Sequence, residues 1–243
     1  MVKIHKEQDL IFGIHPLIEL LKAKKRPIYT IYTTKPEPKS WDQIEKLLPR
    51  GIQKQYVTRD VLTRMAGTTD HQGILAFVGQ FPIRKKPFDP QKQSFLVMID
   101  GVQDTRNLGA LLRSAYCTGV QGIIIAKKNG APLNASTFKA SAGLAEHLEF
   151  YEAATPLIAA QELKKAGYHL YMAALGGQDA LSIDYQEPLC LVIGNEATGI
   201  SKPVLSLGTT VMLAQKTPDI SYNASVAAGI LFFLVATRNH KIK

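Results

Sequence analysis

The chain has 243 residues, 46% of them hydrophobic, with 29 Lys+Arg against 20 Asp+Glu and a formal charge of +9. That composition excludes a disordered chain, and the length allows one large domain or two small ones, two being the preferred reading. Only two cysteines occur, Cys117 and Cys190, each in an apolar stretch, which excludes a disulfide framework and fits buried, inert thiols in a reducing compartment.

In chain order, Ile14, Leu17, Ile18 and Leu21 recur at helical spacing before Pro27, and Ile28 to Tyr32 follows as a strand. Ser40 and Gln43 match a capping box opening a helix to Leu48, and Ile52–Val57 and Gly73–Val78 read as further strands. Residues 1–80 are therefore expected to form a small α/β domain. From 81 to 93 periodicity disappears, and Pro82, Pro87 and Pro90 stand among Arg84, Lys85, Lys86 and Lys92, the composition of a basic linker. Residues 94–243 then alternate between strand and helix: strand Phe95–Ile99, helix Arg106–Cys117, strand Gly122–Ala126, helix Pro156–Ala166, strands Tyr168–Ala173 and Leu189–Ile193, a short strand near Val211, and a helix Asn223–Arg238. A parallel-sheet α/β domain is the expectation.

Charge is unevenly spread. Residues 1–93 hold 17 Lys+Arg and 9 Asp+Glu, a net +8, whereas residues 94–243 hold 12 and 11. The first part thus carries a field suited to a polyanion, concentrated at Lys22, Lys24, Lys25 and Arg26 and at Arg84, Lys85 and Lys86; a solvated basic face is the alternative. The first eight residues contain no apolar segment of the kind a secretory leader needs. The longest apolar run, Ala224–Ala236, is broken by Ser225 and Gly229 and is shorter than the ~20 residues of a membrane span. A cytoplasmic protein without membrane contact is expected.

Several chemistries are disfavoured. No two glycines are separated by a single residue, so the dinucleotide fingerprint is absent, and Ile200 stands where a phosphate-binding loop built on Gly194 and Gly199 would need lysine. The histidines His5, His15, His71, His147, His169 and His240 are not grouped at metal-ligand spacing, so no metal is expected. Three polar, glycine-bearing segments remain, each beside an apolar strand or helix: Ile99 to Ala115, with Asp100, Asn107, Gly109 and Arg113; Ile193 to Ser201, with Gly194, Glu196 and Gly199; and Ser221 to Ala228, with Tyr222 and Asn223. In open α/β sheets such strand ends line the ligand crevice.

In this order the three segments resemble the signature motifs of the SpoU/TrmH family, S-adenosylmethionine-dependent RNA ribose 2′-O-methyltransferases of the SPOUT superfamily. Phe12-Gly13-Ile14-His15-Pro16 and His71-Gln72-Gly73-Ile74 resemble the ends of that family's substrate-binding domain. The chain is most similar to members acting on guanosine of 23S ribosomal RNA. The resemblance implies an N-terminal α/β RNA-binding domain over 1–80 and a knotted SPOUT methyltransferase domain over 94–243. It also implies a homodimer, S-adenosylmethionine as cofactor, and RNA as partner, ribosomal or transfer RNA. Its catalytic set maps to Arg113, Asn107, Glu196, Asn223 and Ser221, and the donor is held by backbone at Gly194, Leu213 and Tyr222. Taken singly, Asn107 and Asn223 would be helix caps, Arg113 a surface cation and Glu196 a loop carboxylate.

The pattern departs from the family before the last motif, where I-P-M-x-G becomes Leu213-Ala214-Gln215-Lys216-Thr217. Loss of a glycine and the polar Gln215 alter a wall of the expected donor pocket. This motivates an alternative, a catalytically weak or inactive RNA-binding or ribosome-assembly protein of the same fold. A further alternative is a protein whose last helix serves dimerisation through Ala224, Ala227, Ala228 and Gly229.

Overall fold

The computed structural model describes residues 8–127, 130–217 and 221–242. Along the chain run β1 (Gln8–Phe12), α1 (Ile14–Ala23), β2 (Ile28–Thr33), α2 (Trp41–Leu47), β3 (Gln53–Tyr56), α3 (Arg59–Ala66) and β4 (Ile74–Gly79). There follow β5 (Phe95–Asp100), α4 (Thr105–Cys117), β6 (Gly122–Ala126), α5 (Ala135–Ala140), a 3-10 turn (Leu144–His147), β7 (Phe150–Ala153) and α6 (Pro156–Ala166). The last elements are β8 (His169–Asp179), β9 (Leu189–Gly194), α7 (Lys202–Leu205), β10 (Thr209–Met212) and α8 (Ala224–Arg238). They form two compact units, one running up to Pro82 and including Pro132–His147, the other comprising Ile83–Ala131 and the chain from Leu148 on.

The first unit is a mixed sheet in the order β1-β4-β2-β3. Strands β1 and β2 are antiparallel to β4, and β3 is parallel to β2. Every residue of β4 is buried, as its central place requires, whereas β3 is an exposed edge. Helix α1 buries Leu17, Ile18, Leu20 and Leu21 and ends where Lys24 turns left-handed, its N–H donating to the Leu20 carbonyl. The expected capping box at Ser40 is not made: α2 starts after Ser40, but the Ser40 side chain accepts no capping bond. The unforeseen α3 is capped by Thr58, whose Oγ1 accepts from Val61 N at 3.4 Å. The return of Pro132–His147 to this unit was also not foreseen, since α5 is short and buries only Thr137 and Phe138.

Arg26 belongs to a cluster expected to meet a polyanion, and the structure corrects this. It is 7% exposed. Its Nε and Nη2 donate to the Glu146 carboxylate, the first at 3.2 Å. Its Nη1 donates to Asp9 Oδ2 at 2.9 Å and to the Gly79 carbonyl at 3.3 Å. The rings of Phe81 and Phe138 lie 5.3 and 4.7 Å from the guanidinium carbon. A planar five-donor group that makes four such bonds is a structural tie within the unit.

The second unit is a wholly parallel sheet in the order β10-β8-β9-β5-β6-β7. Strands β5 and β9 are buried at every position, which is why they read as unbroken apolar runs. Strand β8 extends beyond the predicted end at Ala173. The β10 ladder shifts register after Thr210↔Met172 and resumes at Val211↔Gln178, leaving 173–177 outside it.

From Ile83 on, the segment expected to be a linker is built into this unit. Arg84 N donates to the Phe150 carbonyl at 2.8 Å, and Phe88 is buried with Leu96, Met98 and Leu163. Burying one such ring contributes about 1.5–3 kcal/mol, which offsets the ordering of only a residue or two of the stretch. Arg84, from the second cluster expected to meet a polyanion, pairs with Glu149 and stacks on Phe88 at 4.6 Å. Helix α8 packs on α4, and a Cβ on Gly229 would meet Ser114 Oγ at 3.3 Å. Gly229 and the buried Ala228 thus serve packing within the chain. Cys190 is buried, and that burial pushes its thiol far above the usual range, but Cys117 is exposed rather than interior.

Replacing Arg26 by Met leaves Glu146 buried without its cation, and equilibrium urea unfolding should report a loss of about 3–5 kcal/mol in the first unit. An unchanged midpoint would show that the pair contributes nothing.

Candidate active site

In a parallel sheet the carboxyl ends of all strands open on one side. Here the segments after β5, β9 and β10 emerge there, each carrying one of the three motifs. The first is shaped by Asp104, whose Oδ1 accepts from Arg106 N at 2.6 Å and Asn107 N at 3.4 Å. Asp104, and not Asn107, is therefore the cap of α4, and the Asn107 side chain is left for another task.

That task is a bridge. Asn107 Nδ2 donates to Glu196 Oε1 at 2.9 Å, and Asn107 Oδ1 accepts from Asn223 Nδ2 at 3.1 Å. The second Glu196 oxygen accepts from Gln103 N at 3.4 Å. Asn223 also caps α8, its Oδ1 accepting from Ser225 N at 2.9 Å, Val226 N at 3.4 Å and Ser225 Oγ at 2.7 Å. The direction of every bond follows from its ends: a carboxylate only accepts, and the Asn223 oxygen is committed to the helix, so its amide nitrogen must donate. The structure thus brings three of the predicted residues into one series.

Sequence reasoning missed the residues that shape the β9 loop. Asn195 N and O pair with Gly199, while Asn195 Oδ1 accepts from Ala197 N and Thr198 N at 2.8 and 3.0 Å. Asn195 Nδ2 donates to the Gly101 carbonyl at 2.7 Å, tying this loop to the first motif. Asp100 is buried and accepts from Ser201 N and Oγ at 3.0 and 2.9 Å. Asn195 followed by Thr198 between two glycines is the available signal, a side chain able to mimic a backbone turn. Gly194 has no room for a side chain: a Cβ would lie 2.4 Å from Gly199 C and Ile200 N.

Beside the series lies a cavity of about 380 Å³. Its walls include Gly194, Glu196, Leu213, Gln215, Ser221 and Tyr222, together with apolar Val211 and Leu231. Glu196 is the one charged side chain among the described lining residues. Of the predicted set, Gly194, Glu196, Leu213, Ser221 and Tyr222 line the cavity, and Asn107 and Asn223 join it through Glu196. Arg113 does not line it. It lies six positions after Asn107, which places the two about 120° apart around α4, and Arg113 is exposed, with no hydrogen bond or ion pair among the described residues.

The model of the SpoU rRNA methylase family matches residues 94–233. The chain belongs to this family. A second model, for RNA 2′-O ribose methyltransferase substrate binding, matches residues 10–83. Among SpoU relatives, the chain is 30% identical to YacO, a TrmH family member of Bacillus subtilis, over 98% of both chains. It is also 30% identical to RlmB of Shewanella oneidensis, a 23S rRNA (guanosine-2′-O-)-methyltransferase, over 94% of this chain and 96% of that one. Its fold matches the SpoU methyltransferase AviRb of Streptomyces viridochromogenes in complex with AdoMet, with a TM-score of 0.80 at 22% identity over 97% of this chain and 92% of that chain.

The Gly194→Ala variant forces apart two backbone segments that touch. Thermal unfolding should show a loss of about 1–3 kcal/mol, and binding to the cavity should weaken with it. A fully stable variant would show that the loop relaxes freely.

Proposed function

We propose that the protein is an RNA (ribose-2′-O)-methyltransferase that uses S-adenosylmethionine, with ribosomal RNA as its substrate. The observation that carries this reading is the hydrogen-bonded series Asn223–Asn107–Glu196, which ties the three family motifs together beside one cavity. The name of the Shewanella relative and the substrate-binding match over 10–83 support RNA as partner.

The cavity fits the donor by its chemistry. About 380 Å³ falls within the range of small-molecule sites, its walls are largely apolar, and Gly194, packed against the Gly199–Ile200 backbone, holds the β9 loop tight at its edge. Backbone at Gly194, Leu213 and Tyr222 would hold it. When bound, S-adenosylmethionine supplies a methyl group on a sulfonium, open to in-line attack by a ribose oxygen. The Glu196 carboxylate favours a cationic centre at its end of the cavity. Asn107, gripped at both ends of its amide, keeps that carboxylate oriented, and Ser221 and Asn223 fix the target nucleotide.

Arg113 acts on the ribose O2′. A guanidinium stays charged, so it orients the hydroxyl and polarises its O–H, the proton passing to a phosphate oxygen of the RNA. Its exposure leaves it free for that contact. Because it stands outside the cavity lined by its own chain, a homodimer completes the reading. Val226, Ile230 and Phe233 form a stripe on α8 with 50%, 42% and 60% of their surfaces exposed, which suits a second copy. A trefoil knot is supported by the path of the chain: β10 lies at the sheet edge, yet α8 returns to pack on β9 and α4 near its middle. Among the described residues no helix is long and apolar enough to cross a membrane, and the cytoplasm is the proposed location.

Labelled methyl transfer to extracted ribosomal RNA should fall about 100-fold or more in Arg113→Ala, and equal labelling by both proteins would remove Arg113 from the mechanism. Phe233→Asp should yield monomers in sedimentation, whereas an unchanged dimer would place the contact elsewhere.

A further inference from the structure

Gln215 is a partly buried amide on the cavity wall that makes no hydrogen bond among the described residues. The cavity lining includes apolar Val211, Leu213 and Leu231 as well as the hydroxyl-bearing Ser221 and Tyr222. An amide offers one acceptor and two donors, and in such surroundings it costs free energy unless a ligand or water pairs it. The Tyr222 hydroxyl donates to the Ala214 carbonyl at 3.3 Å, which holds the backbone next to Gln215.

We infer that Gln215 recognises the adenine edge of the methyl donor, through its carbonyl oxygen and amide nitrogen together. The inference rests on the cavity being the S-adenosylmethionine site, and the sheet supplies the orientation. Glu196 follows β9 and Gln215 follows β10, with β8 between them, so their loops lie two strand spacings, about 10 Å, apart. The single lining carboxylate draws the cationic sulfonium end toward the β9 loop, and the uncharged purine is left to the apolar wall after β10. A purine that buries its faces there must still satisfy its rim. Adenine presents an amino donor beside a ring-nitrogen acceptor, and a glutamine amide meets that pair in bidentate fashion. Met or Leu at this position would give the same apolar contact without reading the edge.

The test is calorimetry with S-adenosylhomocysteine and with 5′-methylthioadenosine, which lacks the amino-acid end, on the full-length wild type, Gln215→Met and the near-isosteric Gln215→Glu. Both variants should bind each ligand roughly tenfold more weakly than wild type, by the same factor for both ligands. Unchanged affinity in the variants overturns the inference. So does a loss confined to S-adenosylhomocysteine, which would assign the amide to the amino-acid end. Failure of the wild type itself to bind S-adenosylhomocysteine would instead overturn the proposed function, and this inference with it.

Discussion

Asn107 is held between a carboxylate that can only accept and an amide that can only donate, and the arrangement of the candidate site depends on that grip. Its partners lie 89 and 116 residues away along the chain. The bonds form because three loops leave the same end of a parallel sheet, where strand order places them together. Asn223 has two duties in this series: its oxygen satisfies amide groups at the start of α8, and its nitrogen reaches Asn107. Loss of that residue would therefore disturb a helix end and the site at once.

The arginines show how location decides a role that residue type leaves open. Arg26 and Arg113 are chemically identical forks. One is buried, with carboxylates, a carbonyl and two aromatic rings around it, so it has nothing left to offer a substrate. The other is exposed on α4 and uncommitted among the described residues. Arg84 follows the first pattern, held by Glu149 and stacked on Phe88. The basic excess of the first part of the chain is thus smaller, as a free surface field, than its count suggests, because part of it is neutralised inside the fold.

The cavity combines three constraints that act at different ranges. Gly194 lets two backbone segments approach to a distance no side chain would permit. Val211 and Leu213 give the space an apolar wall, and one carboxylate gives it a polarity. The β9 loop that carries this carboxylate is held to the β5 loop by Asn195 on Gly101 and by Ser201 on Asp100, so its position follows from the sheet rather than from the loop's own preferences.

Buried strands and amphipathic helices were legible along the chain, because apolar runs such as Phe95–Ile99 and Leu189–Ile193 have few alternatives to a sheet interior. The motif residues Asn107, Glu196 and Asn223 were legible as a set through their resemblance to a family. Less visible were short or edge elements: β1 and α5 lack a long periodic signature, and Ser40 matched a capping pattern whose bond does not form. The boundary between the units falls inside 81–93, but proline and lysine dominate the composition there and hide the buried Phe81 and Phe88, which anchor its two parts. Sequence by itself determined which stretches must be buried and which residues form the three family motifs, since both depend on residue type and local order. Tertiary structure alone decided that Asp104 rather than Asn107 caps α4, that Arg26 is spent inside the fold, and that Gln215 faces a cavity. Each of those depends on which distant groups the folded chain brings within hydrogen-bonding reach.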